Sequence, residues 1–231
     1  CYYGFYFCRH AFSIVKSTVQ EQFSWQPSDV ALVWATYLIS YAFGEFNAAS
    51  LGMKIGPRRL LLIGMAVSIG ANVAFGFANN RWTFMAFMIL NGLAQATGWS
   101  GNVGTMAHWF RRSERGRVMG WWATCYQFGA VTAKIFAAAL LGWLGWRYSF
   151  WGASLVLGAI WFLFYFLQRN RPEDVKLSSI EDESNSPKNT TDAPDPGWTR
   201  QLVVTIVMME AFYFFVKYIR YALWSWAPFF L

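Results

Sequence analysis

Residues 147–168 read RYSFWGASLVLGAIWFLFYFLQ. After Arg147 no charged residue follows until Arg169. The apolar residues are continuous, without the alternation of a half-buried strand or the polar face of a surface helix. About 20 such residues in a helix cover the hydrocarbon core of a bilayer. Backbone amides in lipid must be satisfied within the segment or by a closed barrel, so a single run of this length is a helix. This stretch sets the fold class: an all-α membrane protein.

Its flanks extend the reading. Immediately after it come residues 169–198, RNRPEDVKLSSIEDESNSPKNTTDAPDPGW, which are polar, Pro-containing and poor in large apolar groups. That composition is a flexible linker. Apolar runs elsewhere predict spans at about 1–18, 29–52, 59–78, 82–109, 118–143 and 199–231, which with 147–168 makes seven. Pro27, with Ser28 or Asp29 as N-cap, opens the second span. The predicted division is a six-helix bundle over 1–168, a linker over 169–198, and over 199–231 the first helix of a second bundle. Both ends are expected to lie inside a longer chain.

Composition agrees. The chain is 56% hydrophobic and 13% charged, whereas a soluble domain carries about 25% charged residues. A net charge of +7 in a soluble protein would suggest nucleic acid. Here the basic residues sit in short loops: Lys54, Arg58 and Arg59; Arg111, Arg112, Arg115 and Arg117; Arg169, Arg171 and Lys176. The opposite face offers little beyond Arg81 and Arg147. The positive-inside rule then places the start of span one and the linker in the cytoplasm, and it accounts for the charge without nucleic acid. Cys1, Cys8 and Cys125 form no CxxC pair or Cys/His cluster, so no disulfide framework or zinc site is expected. No Ser/His/Asp or Cys/His arrangement suggests an enzyme, and no cofactor is implied. His10 and His108 read as hydrogen-bonded structural residues.

Charges inside the spans need a reason. Residues 215–231, FVKYIRYALWSWAPFFL, carry Lys217 and Arg220, and Arg9 lies in the middle of span one. Arg at a bilayer centre costs about 2.5–3.5 kcal/mol even on lenient insertion scales. In a two-half transporter, spans one and seven occupy equivalent places, with the substrate at the interface of the repeats. Two guanidinium groups facing one cavity repel until an anion joins them, and their planar donors match phosphate oxygens bidentately. Lys217 shares a helical face with Arg220. Tyr2, Tyr6 and Arg9 share another at spacings of four and three, as do Tyr41 and Glu45 at four. Lys134 is a further cation in span five. With Arg9, Lys217 and Arg220 it outnumbers the one acid, Glu45, and it is a candidate partner for that acid or a substrate contact.

Several motifs resemble known transporters. Ser50–Arg59, SLGMKIGPRR, is similar to the loop between spans two and three of the major facilitator superfamily, with Ala49 where the signature has Gly and Met53 where it has Asp. More closely, YYGFYFCRHAF, GWSGNVGTMAHWFRRSERGRVMGWW, RNRPEDVKL and VKYIRYALWSWAPFFL resemble the organophosphate:phosphate antiporters, the glycerol-3-phosphate and hexose-6-phosphate transporters and their sensor relatives. The resemblance implies Arg9 and Arg220 as the phosphate-binding pair and lining aromatics at Tyr2, Tyr6, Tyr41 and Trp99. It places Glu45 where glycerol-phosphate transporters have lysine, and Tyr126 where they have histidine. What it implies is a multi-pass protein of the bacterial inner membrane that exchanges organic phosphate for inorganic phosphate. Two alternatives share these residues: a sugar-phosphate sensor acting on a signalling partner, and a carboxylate symporter using Glu45 as a proton site.

Overall fold

The computed structural model describes residues 1–178 and 199–230, with side chains of the last helix described through residue 219. Seven α-helices occur among them: α1 (Tyr2–Gln22), α2 (Pro27–Ile55), α3 (Pro57–Phe75), α4 (Arg81–Trp109), α5 (Arg112–Leu144), α6 (Trp146–Leu167) and α7 (Arg200–Phe230). A short 3₁₀ turn, Pro172–Val175, precedes the last of these. Each break has a local cause. Gly56 (φ 86°) and Gly145 (φ 99°) adopt backbone conformations that L side chains rarely take, and each ends one helix and begins the next. Pro57 then supplies a first helical residue whose missing N–H costs nothing there.

The N-cap of α2 lies two to three residues before the Ser28 or Asp29 expected from sequence. Gln26 is the N-cap and Pro27 the first helical residue, while Asp29 reaches back to accept a hydrogen bond from the Gln26 backbone N–H at 3.1 Å. The other Asp29 oxygen pairs with Arg81 Nη1 at 2.8 Å, joining the starts of α2 and α4. The pair is partly exposed, so Arg81→Ala should cost no more than about 1 kcal/mol. Asp29→Ala should cost more, because it also removes a cap contact of about 0.5–2 kcal/mol. Equal thermal midpoints for the two variants would contradict this assignment.

Residues Cys1–Ser184 form one compact unit and Asn185–Leu231 another. In the first, α2 packs along α4, α1 along α5, and α3 against both α4 and α6. Aromatic side chains fill the centre: Phe5, Phe12, Phe75, Phe84 and Phe150 are fully buried, and Phe75 stacks on Phe150 at 4.9 Å. Outward, Ile39, Phe43, Phe46, Trp143, Leu155, Phe162 and Leu167 are exposed. A belt of large apolar side chains around a helical bundle is the surface lipid requires.

Among the described residues, four helices are long and apolar enough to cross a membrane: α3, α5, α6 and α7 over Arg200–Ile219. The other three expected spans, α1, α2 and α4, carry polar side chains along their length, among them Arg9, Glu45, Asn91 and Gln95. These lower the average hydropathy of helices whose polar groups, described below, gather around Arg9 and Gln95.

The segment read as a linker is ordered at its start. Asn170 Oδ1 accepts from the Arg58 backbone N–H at 2.9 Å, beside Gly56 in the α2–α3 turn. Trp109 Nε1 donates to the Arg169 carbonyl at 3.1 Å, and Asp174 accepts from the Asn170 and Arg171 amides at 3.1 Å each. Arg58 Nη2 also donates to the Tyr165 carbonyl at 2.6 Å, closing the end of α6. Basic loop residues thus satisfy helix-end carbonyls as well as marking a membrane face.

Candidate substrate-binding site

Arg9 is held by three helices. Its own helix supplies Tyr6, with the guanidinium 5.0 Å from the ring centre. From α2 come Tyr41 at 4.8 Å and Tyr37 at 5.9 Å, and from α4 comes Gln95, whose Oε1 accepts from Arg9 Nε at 3.0 Å. A cation over one aromatic face gains about 0.5–1 kcal/mol when exposed and about 2 when desolvated. Three rings and an amide therefore offset much of the cost of burying the charge.

Gln95 is itself fixed. Its Oε1 also accepts from the Tyr37 hydroxyl at 3.0 Å, and its Nε2 donates to Asn91 Oδ1 at 2.9 Å. Asn91 Oδ1 in turn accepts from Ser68 Oγ at 2.6 Å and Asn72 Nδ2 at 3.3 Å. Gln95, Ser68 and Asn72 have no exposed surface. A chain of hydrogen-bonded side chains thus runs from α3 through α4 to the guanidinium, and such networks fix geometry. Two buried atoms along it lack a partner, Asn72 Oδ1 at its far end and Arg9 Nη2. A buried charged donor without an acceptor is costly, and the Nε bond to Gln95 ties the guanidinium on its other side. No carboxylate lies within ion-pair distance of Arg9 among the described residues.

The other expected residues divide. Tyr2, Tyr6 and Trp99 come together, with Tyr2 5.7 Å from Tyr6 and 6.0 Å from Trp99. Trp122 of α5 completes the group, 5.3 Å from Tyr2 and 5.1 Å from Trp99. Tyr41 is on Arg9, and Glu45, one helical turn further, interacts with the Tyr41 side chain and electrostatically with Arg9. Tyr126 is half-buried at the margin of the core. No ion pair joins Lys134 to Glu45 among the described residues; Lys134 acts electrostatically on His10, whose ring lies 5.4 Å from Tyr6. In the second unit, Lys217 Nζ sits over Tyr213 at 5.0 Å. Arg220 belongs to α7, and its side chain lies outside the described residues.

Sequence reading missed Tyr37, Gln95 and Trp122. A signal existed for two of them. Tyr37 precedes Tyr41 by one helical turn, and Asn91 with Gln95 repeats the four-residue spacing of Ser68 with Asn72 in runs otherwise apolar. Trp122 had none, in a chain with 14 tryptophans.

Comparison with known proteins gives the family. The sequence profile of the Major Facilitator Superfamily matches residues 1–231. The chain belongs to that superfamily. Among its relatives are a glycerol-3-phosphate transporter of Bacillus subtilis strain 168, 29% identical over all of this chain and 55% of the relative, and a phosphoglycerate transporter protein of Salmonella typhimurium, 28% identical over all of this chain and 53% of the relative. A human relative named sugar phosphate exchanger 3 is 26% identical over 96% of the chain and 57% of its own length. These names agree with the resemblance to organophosphate:phosphate antiporters. The chain spans about half the length of the curated relatives it matches. A bacterial homologue of the human lysosomal transporter Spinster, crystallised inward-facing and unoccupied, superposes with a TM-score of 0.69 over 81% of this chain and 44% of its own. At 16% identity that likeness concerns the fold. The seven-helix reading thus corresponds to part of a major facilitator transporter, an integral multi-pass membrane protein.

Proposed function

We propose that the whole protein carries organic phosphates across the membrane in exchange for inorganic phosphate, with Arg9 as a phosphoryl ligand. The observation that carries this reading is the Arg9 Nη2 donor, buried and without an acceptor while Nε is tied to Gln95. A phosphate oxygen is the acceptor that geometry and charge both favour. Arg220 and Lys217 are proposed as further cationic ligands, and Tyr2, Tyr6, Tyr41, Trp99 and Tyr126 as lining groups, with Lys134 near the site through His10. Exchange is proposed to follow the rocking of two helical bundles about a midplane site. On this reading residues 1–168 form the first bundle and 199–231 begin the second. The linker and the N-terminal end of α1 face the cytoplasm of a bacterial inner membrane.

The test uses the full-length protein in liposomes loaded with inorganic phosphate. Uptake of labelled glycerol 3-phosphate or glucose 6-phosphate should require internal phosphate and should be inhibited by external phosphate far more than by succinate. Binding without flux would replace the carrier with a sensor. Uptake driven by a proton gradient without internal phosphate would replace it with a symporter.

A further inference from the structure

We propose that Glu45 is a specificity-determining residue that selects phosphate esters whose organic part also carries an ammonium group. This rests on the organophosphate reading above. Glu45 is half-buried in α2, one turn from Tyr41, whose ring covers the Arg9 guanidinium at 4.8 Å. Its neighbours are the Tyr41 side chain and the Arg9 charge, and it forms no ion pair with a lysine or arginine among the described residues. A carboxylate here opposes a phosphate dianion bound at Arg9. It becomes favourable when the same ligand brings a positive charge of its own.

Glu45 lies four residues beyond Tyr41 on the same face of α2, about 6 Å further along the helix, so its carboxylate stands one level away from the ring that covers Arg9. Tyr41 puts a phenol ring one turn from the carboxylate. A carboxylate near an aromatic ring is chemistry that holds an ammonium group, by charge pairing and by cation–π contact. Arg9 and Glu45 therefore make a two-ended site: guanidinium for the phosphoryl group, carboxylate for the amine. An ester with a neutral hydroxyl in place of the amine would leave the carboxylate unneutralised.

The experiment compares a near-isosteric pair, 2-aminoethyl phosphate and 2-hydroxyethyl phosphate, as inhibitors of labelled phosphate uptake by the full-length protein in liposomes. The wild type should prefer the amino ester by tenfold or more. Glu45→Gln should reduce the preference to within about twofold, and inorganic phosphate should bind severalfold more tightly because the opposing charge is gone. Glu45→Asp should retain part of the preference. An unchanged preference in Glu45→Gln overturns the proposal. So does the absence of any preference in the wild type, whatever becomes of the variants; a cation of the second half paired with Glu45 would give that result. If phosphate inhibits and the amine makes no difference, the specificity role alone fails. If neither phosphate nor its esters inhibit, the organophosphate reading fails with it.

Discussion

Replacing Arg9 with lysine should weaken phosphate binding by the full-length protein about 100-fold, and Arg9→Ala should weaken it further. Lysine keeps the charge, so a purely Coulombic site would tolerate it. The structure requires more than charge. Arg9 uses Nε to hold Gln95 Oε1 at 3.0 Å, which leaves Nη2 buried with no other partner. A lysine ammonium has its donors on one atom and cannot anchor to Gln95 while presenting a second donor in a fixed plane. It would also leave the Gln95 network short of a donor and lose the planar stacking on Tyr6 and Tyr41. A hydrogen bond to a charged group contributes about 1.5–3 kcal/mol, and about 2.7 kcal/mol corresponds to a factor of 100. Titration of phosphate against the purified variants measures this directly. A lysine variant that binds phosphate as tightly as the wild type would remove bidentate recognition from the site.

The sequence exposes some of this arrangement and hides the rest for physical reasons. Helix existence is legible because continuous apolar runs such as residues 147–168 have one stable state in lipid. Arg9 is legible because a guanidinium in such a run is anomalous. Its surroundings are less so. Tyr37 and Gln95 come from helices separated by many residues, and only the crossing of α1, α2 and α4 brings them to one guanidinium. The Lys134–Glu45 pair is absent among the described residues for the same cause: opposite charges in two spans say nothing of which helices adjoin, and α5 packs on α1, where Lys134 acts electrostatically on His10. The start of the linker also misled. Its polar composition reads as solvated chain, yet Asn170 and Asp174 spend their polar groups on helix-end amides and a local turn. Composition reports how polar a segment is, not where its hydrogen bonds go.

A second large effect is expected far from any charge, at Gly92. α2 and α4 approach closely because each offers a glycine to the other's backbone. Gly44 faces Ala96 and the Leu93 backbone of α4, and Gly92 faces the Ser40 side chain, the Tyr37 carbonyl and the Tyr41 amide of α2. A Cβ at Gly92 would lie against Ser40 Oγ, 2.7 Å from the Tyr37 carbonyl oxygen and 3.0 Å from the Tyr41 nitrogen. Two of those three atoms are backbone, which cannot rotate aside, so the helices must part. Close approach through small residues is a main source of association between membrane helices, where no hydrophobic force drives them together. Gly92→Val should therefore cost about 3 kcal/mol, at the upper end for overpacking, and lower the thermal midpoint by about 10 °C. The same displacement moves Tyr37 and Tyr41 off Arg9, so phosphate affinity should fall together with stability. Gly70 provides the contrast: it is also helical, and a Cβ there meets nothing within 4 Å. Gly70→Ala should leave affinity unchanged and hold or raise the midpoint, since alanine is favoured over glycine in a helix by about 1 kcal/mol. If Gly92→Val melts with the wild type, the α2–α4 contact is looser than the structure has it, and the tyrosine cage loses the packing that places it.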